Sequence, residues 1–113
     1  MKIKKDFEIT KNLIKFYKIL ELHGISDLTA NHVSVLSHDK KSFYTNQHKH
    51  LFSQVNLKNL IKVYLNEKNK KVLKKVNRAG YQIHRFLHLS KAKPKAILHS
   101  HSKISYSFLV VRY

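Results

Sequence analysis

Between residues 7 and 23 the apolar side chains return every three or four positions, at Ile9, Leu13, Phe16, Tyr17 and Leu20. Lys11, Lys15, Lys18 and Glu21 fall on other faces. This spacing predicts an amphipathic helix whose apolar stripe packs into a core, with Gly24 as its C-terminal cap. A polar turn over 26–31 follows, and the period then changes to two. His32-Val33-Ser34-Val35-Leu36 predicts a short strand with Val33 and Val35 on one face and His32 and Ser34 on the other. Residues 37–41 read as a hairpin turn, 42–45 as a second strand and 46–50 as an irregular loop. Leu57 to Leu65 predicts a short turn and a strand through Val63 and Leu65, with 66–70 as a hairpin loop. Residues 77–90 predict a helix with Ala79, Ile83, Phe86 and Leu87 inward and Arg78, Gln82, Arg85 and Lys91 outward. Pro94 then turns the chain into a strand carrying His99 and His101. From Ser102 onward, Ile104, Tyr106, Phe108 and Leu109 begin another predicted helix. It stops at Tyr113 without a capping signal, so the chain reads as interrupted.

Helix, antiparallel strands, helix, strand and helix in this order predict an α+β layer architecture. With 113 residues and no Pro/Gly-rich linker or internal repeat, residues 1–113 read as a single domain. Forty-two per cent hydrophobic and 11 % aromatic residues argue against a disordered chain. No run is long and apolar enough to span a bilayer, and the basic start Met1-Lys2-Ile3-Lys4-Lys5 has no apolar segment behind it to form a secretory signal. The expected compartment is therefore cytoplasmic.

The formal net charge of +17 raises a polyanion-binding role, because lysine and arginine release counterions from phosphate backbones. Against it, lysine is spread over every segment and far outnumbers arginine, which reads as compositional bias. The absence of cysteine excludes disulfides and thiolate ligands, leaving histidine, carboxylates and water for any metal.

Nine histidines make histidine the main candidate chemistry. In Ala96-Ile97-Leu98-His99-Ser100-His101 the two imidazoles of a strand point the same way, one pleat apart, which suits a divalent metal ion. His48 and His50 repeat the spacing in a polar loop and read as solvated. His84 and His88 share a helix face but lack the acidic residue of an H-E-x-x-H site. Glu21 and Glu67 occupy a solvated helix face and a loop, and neither is placed to act as a base.

The string Asn77-Arg78-Ala79-Gly80-Tyr81-Gln82-Ile83-His84, followed by Pro94 and by Ala96 to His101, resembles the metal-binding segment of the class II aldolase/adducin family. Gly24 to Val35 resembles that family's N-terminal loop and strand. The resemblance runs from about Leu13 to Val110 and covers roughly the N-terminal half of the family's domain. It implies a three-layer α/β/α sandwich around a largely antiparallel sheet. It also implies zinc, or another divalent ion, held by His99 and His101, with no counterpart for the family's third histidine. Thr29, Ala30, Asn31 and His32 fall on the substrate loop, where His32 replaces the phosphate-loop asparagine. Gly80 stands where aldolase members carry their catalytic glutamate, and glycine transfers no proton, so no catalytic residue is assigned. His84 takes a supporting place behind the metal ligands. Asn31-His32-Val33-Ser34 and Asn77-Arg78-Ala79-Gly80 resemble the adducin-like branch more than the sugar-phosphate aldolases. Members of that branch usually carry a proline near Gln47 and a glycine near Lys49, which this chain lacks.

The resemblance implies retro-aldol cleavage or epimerisation of a phosphorylated sugar or other hydroxy-carbonyl compound, in a homo-oligomer. The missing acid/base and third ligand imply little or no activity for this chain alone. A non-enzymatic interaction homologue and a basic RNA-binding module remain as other classes.

Overall fold

Helix α1 (Lys2–Leu22) begins five residues before the predicted start and ends where Gly24 adopts a left-handed φ of +69°. There the Gly24 N–H donates to the Glu21 carbonyl (3.1 Å), closing the last turn without a Cβ penalty. The computed structural model describes residues 2–24, 32–99 and 108–111, with side chains for 5–24 and 32–99.

The remaining elements are β1 (His32–Leu36), β2 (Ser42–Thr45), a 3₁₀ turn (Phe52–Gln54), β3 (Ile61–Tyr64), α2 (Lys70–Leu73), α3 (Arg78–Leu89), β4 (Ala96–His99) and β5 (Phe108–Val111). The strands form one sheet in the order β3-β2-β1-β4-β5, and every pairing is antiparallel. The β1–β2 turn is built by Asp39, whose carboxylate accepts from the Ser37 hydroxyl (2.6 Å) and the Lys41 N–H (3.0 Å), with Lys40 at φ +63°.

Alternation along the strands divides the core in two. Val33 and Leu98 meet Leu13, Tyr17 and Leu20 of α1, together with Phe52 and Val55. On the other face Leu36, Phe43, Ile61 and Val63 pack with Val76 and Tyr81. Tyr17 is fully buried, and its hydroxyl donates to the Val33 carbonyl (2.9 Å), tying α1 to β1. Burial holds its phenol well above the ordinary range. Helix α3 covers the second face. Its Tyr81 hydroxyl and Arg85 Nε both reach the Leu65 carbonyl beyond β3, at 3.2 and 2.5 Å. Helices on both sides of an antiparallel sheet give the expected layered α+β architecture.

Three expectations need correction. Residues 66–70 do not form a hairpin loop: Asn69 caps α2 by accepting from the Lys71 N–H (2.9 Å), and the chain enters a helical turn. Phe108 and Leu109 lie in β5, paired with β4, and not in a helix; Val110 and Val111 complete a four-residue apolar run too short for periodicity to separate strand from helix. The third correction is the inward face of α3. Phe86 is 72 % exposed and Ala79 is exposed, whereas Gly80, Tyr81, His84 and His88 are buried. A stripe of histidines faces the sheet because it finds hydrogen-bond partners there, while Ile83 and Leu87 are left half-buried at its flank. The remainder of the predicted C-terminal helix, residues 102–107, lies outside the described residues.

Candidate functional site: a buried histidine chain

Asn77 starts α3, its side chain accepting from the Gly80 N–H (2.8 Å). From that start Gly80, His84 and His88 recur every four residues and so share one face. They look onto β1, where alternation presents His32 and Ser34 on the same side. Strand register then places His32 opposite His99 and Ser34 opposite Ile97.

These side chains make one continuous chain of hydrogen bonds. His99 Nδ1 lies 3.1 Å from His32 Nε2, and His32 Nδ1 lies 2.6 Å from His84 Nε2. His84 Nδ1 reaches Ser34 Oγ (2.5 Å), and Ser34 Oγ reaches His88 Nε2 (2.8 Å). His88 Nδ1 ends the chain by donating to the Pro94 carbonyl (2.9 Å). His32, Ser34, His84 and His88 are all buried. Phe43 lies beneath the row, its ring 5.3 Å from that of His88 and nearly parallel to it.

Burial holds His84 well below its ordinary pKa, reinforced by His32, His88 and His99 around it. His88 is also lowered by burial, against a smaller opposing effect of its bond to Pro94. Both imidazoles are therefore neutral at pH 7. Neutral rings at His84 and His88 need no counter-charge, only donors matched to acceptors, which the chain supplies.

Gly80 is required by this arrangement. A Cβ there would stand 2.8 Å from His32 Nε2 and 3.0 Å from His32 Cε1. The imidazole of His32 thus fills the space beside the helix that a side chain at 80 would enter. The cleft between Phe43, Asn46, Asn77 and Gly80 retains a volume of about 10 Å³, room for one water and no more. A larger groove, about 440 Å³, lies on the opposite face between α1 and strands β1 and β4, among apolar side chains.

Of the sequence-derived site residues, the structure brings together His99, His32, His84 and Gly80. Thr29, Ala30, Asn31 and His101 lie outside the described residues. Among the described residues no three histidine or carboxylate side chains converge on a metal position. The donor chemistry nevertheless suits a metal at His99. Ligating histidines characteristically give their other ring N–H to an acceptor, and His99 Nδ1 has His32 Nε2 for that purpose. Sequence reasoning missed Ser34 and His88 as partners. The signal was available: alternation places Ser34 beside His32, and the i, i+4 spacing places His88 beside His84. His48 stays in its loop, with Nε2 3.1 Å from the Lys74 carbonyl.

Residues 11–110 match the family described as the class II aldolase and adducin N-terminal domain. The chain belongs to this family. A curated class II aldolase relative in Pseudomonas aeruginosa, one whose name assigns it to that class provisionally, is 27 % identical over 100 residues. The match covers 86 % of this chain and 38 % of the relative. Two solved class II aldolase structures superpose with a TM-score of 0.75 at 25 % identity. They are an aldolase II superfamily protein from Pseudomonas syringae and an L-fuculose 1-phosphate aldolase from Glaciozyma antarctica. Each is matched over 88 % of this chain, which covers 41 % and 42 % of their respective lengths. The class II aldolase/adducin chain described here therefore spans about two fifths of the relatives it matches. Class II aldolases as a group depend on divalent metal ions. Among the described residues no helix is long and apolar enough to cross a membrane.

Proposed function

We propose that this chain is a divalent-metal-binding domain of class II aldolase type, with His99 and His101 as its metal ligands and zinc as the ion. A bound divalent ion supplies Lewis-acid polarisation of a substrate carbonyl oxygen. The chain's own residues orient the ligand: His32 accepts the Nδ1–H of His99, and His84, Ser34 and His88 hold His32 in place. The observation that carries the reading is the 3.1 Å contact between His99 Nδ1 and His32 Nε2.

Sugar phosphates, or other hydroxy-carbonyl compounds, are the substrate class that this reading takes from the family, with Thr29, Ala30 and Asn31 on the substrate loop. Homo-oligomeric assembly comes from the same source, and residues 1–113 act as one domain. Cleavage also needs a group that moves a proton. Position 80 offers none, and His32 has each ring nitrogen within hydrogen-bond distance of a neighbouring histidine. We therefore assign metal binding to the chain and little or no lyase turnover to the chain by itself.

Metal analysis after dialysis tests this reading. The expected result is one zinc per chain, lost in His99→Ala/His101→Ala. No zinc, or equal zinc in the double variant, overturns it. Turnover of L-fuculose 1-phosphate that disappears in His99→Ala would overturn the assignment of inactivity.

A second reading, as a basic polyanion-binding module, is favoured by one patch. Lys70, Lys74 and Arg78 line a groove of about 340 Å³ between α2 and α3. Retention of a short RNA at physiological salt, weakened by charge removal at these three positions, would support it.

A further inference from the structure

We infer that the hydrogen-bond chain from Pro94 to His99 runs in one direction only, and that Ser34 and His88 are positioning residues fixing which nitrogen of His99 carries its proton. The metal-ligand part of this inference rests on the reading of His99 given above.

The direction follows from counting protons. A carbonyl oxygen only accepts, so the nitrogen of His88 that faces Pro94, Nδ1, must bear hydrogen. In a neutral ring this leaves a lone pair on His88 Nε2. Ser34, 2.8 Å away, must donate its one hydroxyl proton there. Its oxygen can then only accept from the next ring, so His84 carries hydrogen on Nδ1. The lone pair of His84 is then on Nε2, and His32 must donate from Nδ1. His32 Nε2 accepts in turn from Nδ1 of His99. All four imidazoles are thereby set as Nδ1–H tautomers, with the basic nitrogen of His99 at Nε2. Reversing one link would bring two protons or two lone pairs together inside the protein, leaving buried polar groups unsatisfied.

Free histidine in water favours the opposite tautomer, with hydrogen on Nε2. Without the chain, His99 would more often carry its proton on the nitrogen that must be bare to bind a metal. Ser34 therefore acts on His99 from three hydrogen bonds away, through His84 and His32. The partner bonded directly to a ligating histidine, here His32, characteristically changes metal affinity by about ten- to a hundred-fold, and a residue acting through it changes affinity by less.

The test begins with the metal-free full chain, labelled with ¹⁵N and observed through the long-range proton–nitrogen couplings of its imidazoles. The expected spectrum shows His32, His84, His88 and His99 as neutral Nδ1–H tautomers. An Nε2–H tautomer at His84 or His99 overturns the inference, and this readout needs no variant. In Ser34→Ala, His88 should keep its proton on Nδ1, while His84, His32 and His99 become tautomer mixtures. Zinc affinity should fall about two- to five-fold in this variant, the inverse of the fraction of His99 still bare at Nε2, with recovery in Ser34→Thr, which restores a hydroxyl. Unchanged affinity in a folded Ser34→Ala chain overturns the positioning role. If the wild-type chain takes up no zinc, the metal reading falls and takes that role with it. The wild-type spectrum then decides the direction of the chain by itself.

Discussion

Gly80 and His32 share one space: a Cβ added to the glycine would lie 2.8 Å from the Nε2 of the histidine. The ring cannot simply swing aside, because it is buried and bonded to His84 on one side and His99 on the other. The residue that removes a side chain from α3 and the residue that fills the gap from β1 are thus one structural unit.

Gly80→Ala should therefore destabilise the fold. Better helix propensity contributes about 1 kcal/mol in its favour. Overpacking costs about 1–3 kcal/mol, and a broken buried hydrogen bond costs about as much again. The net expectation is a loss of about 1–5 kcal/mol in urea unfolding. In a His32→Ala background the same change should become neutral or stabilising. Additive effects in this double-mutant cycle would refute the shared-space account.

Phe86→Ala should alter stability by less than about 0.5 kcal/mol, because the ring is 72 % exposed. The inward helix face expected from apolar periodicity would instead imply a loss of about 3–5 kcal/mol. Thermal or urea unfolding separates these outcomes directly.

Acid should destabilise the fold through His84 and His88. Burial holds both folded-state values below the ordinary histidine value of about 6.5 that applies when unfolded. Between the folded and unfolded values the unfolded chain binds more protons, so stability rises with pH. Their contribution is complete above about pH 6.5 and is lost as pH falls toward the folded-state values. Each group can add a slope of about 1.4 kcal/mol per pH unit. Unfolding free energies at pH 5, 6 and 8 should show this decline, and His88→Gln should make it shallower. A pH-independent stability across that range would contradict the buried neutral chain.

Tyr17→Phe should cost only about 0.5–1.5 kcal/mol despite complete burial of the ring. The Val33 carbonyl that loses the phenol still accepts from the Thr45 hydroxyl at 2.8 Å. A loss above about 3 kcal/mol would mean that the two donors do not substitute for one another.

Local rules made much of the scaffold legible. Strands β1 and β2 fall where alternation places them, and α3 begins and ends within a residue of the predicted helix. Its rotation was not legible, because apolar periodicity sets the inward face on Ala79, Ile83, Phe86 and Leu87 and gives His84 and His88 no weight in placing it. His84 and His88 are inside because Ser34, His32 and the Pro94 carbonyl satisfy them; Ser34 and His32 lie on β1, about fifty residues earlier in the chain, and Pro94 in the turn before β4. For the site, the resemblance pointed to His99, His84 and Gly80. Alternation places Ser34 on the face of His32 but gives it no role, because its partners appear only when β1 is laid against α3. The start of β5 was misread for a different reason: four apolar residues carry too little periodicity, and pairing with β4 decides their conformation.

The far end of the histidine chain is a peptide oxygen, and this changes what sequence drift can do to it. Any substitution at position 94 exchanges a ring or a side chain and leaves the oxygen accepting from His88 in place, provided the backbone keeps its path. The reference that orients four imidazoles is therefore inherited from the course of the main chain. Its direction can be lost only at an intermediate link, or by a shift of the turn that leads into β4.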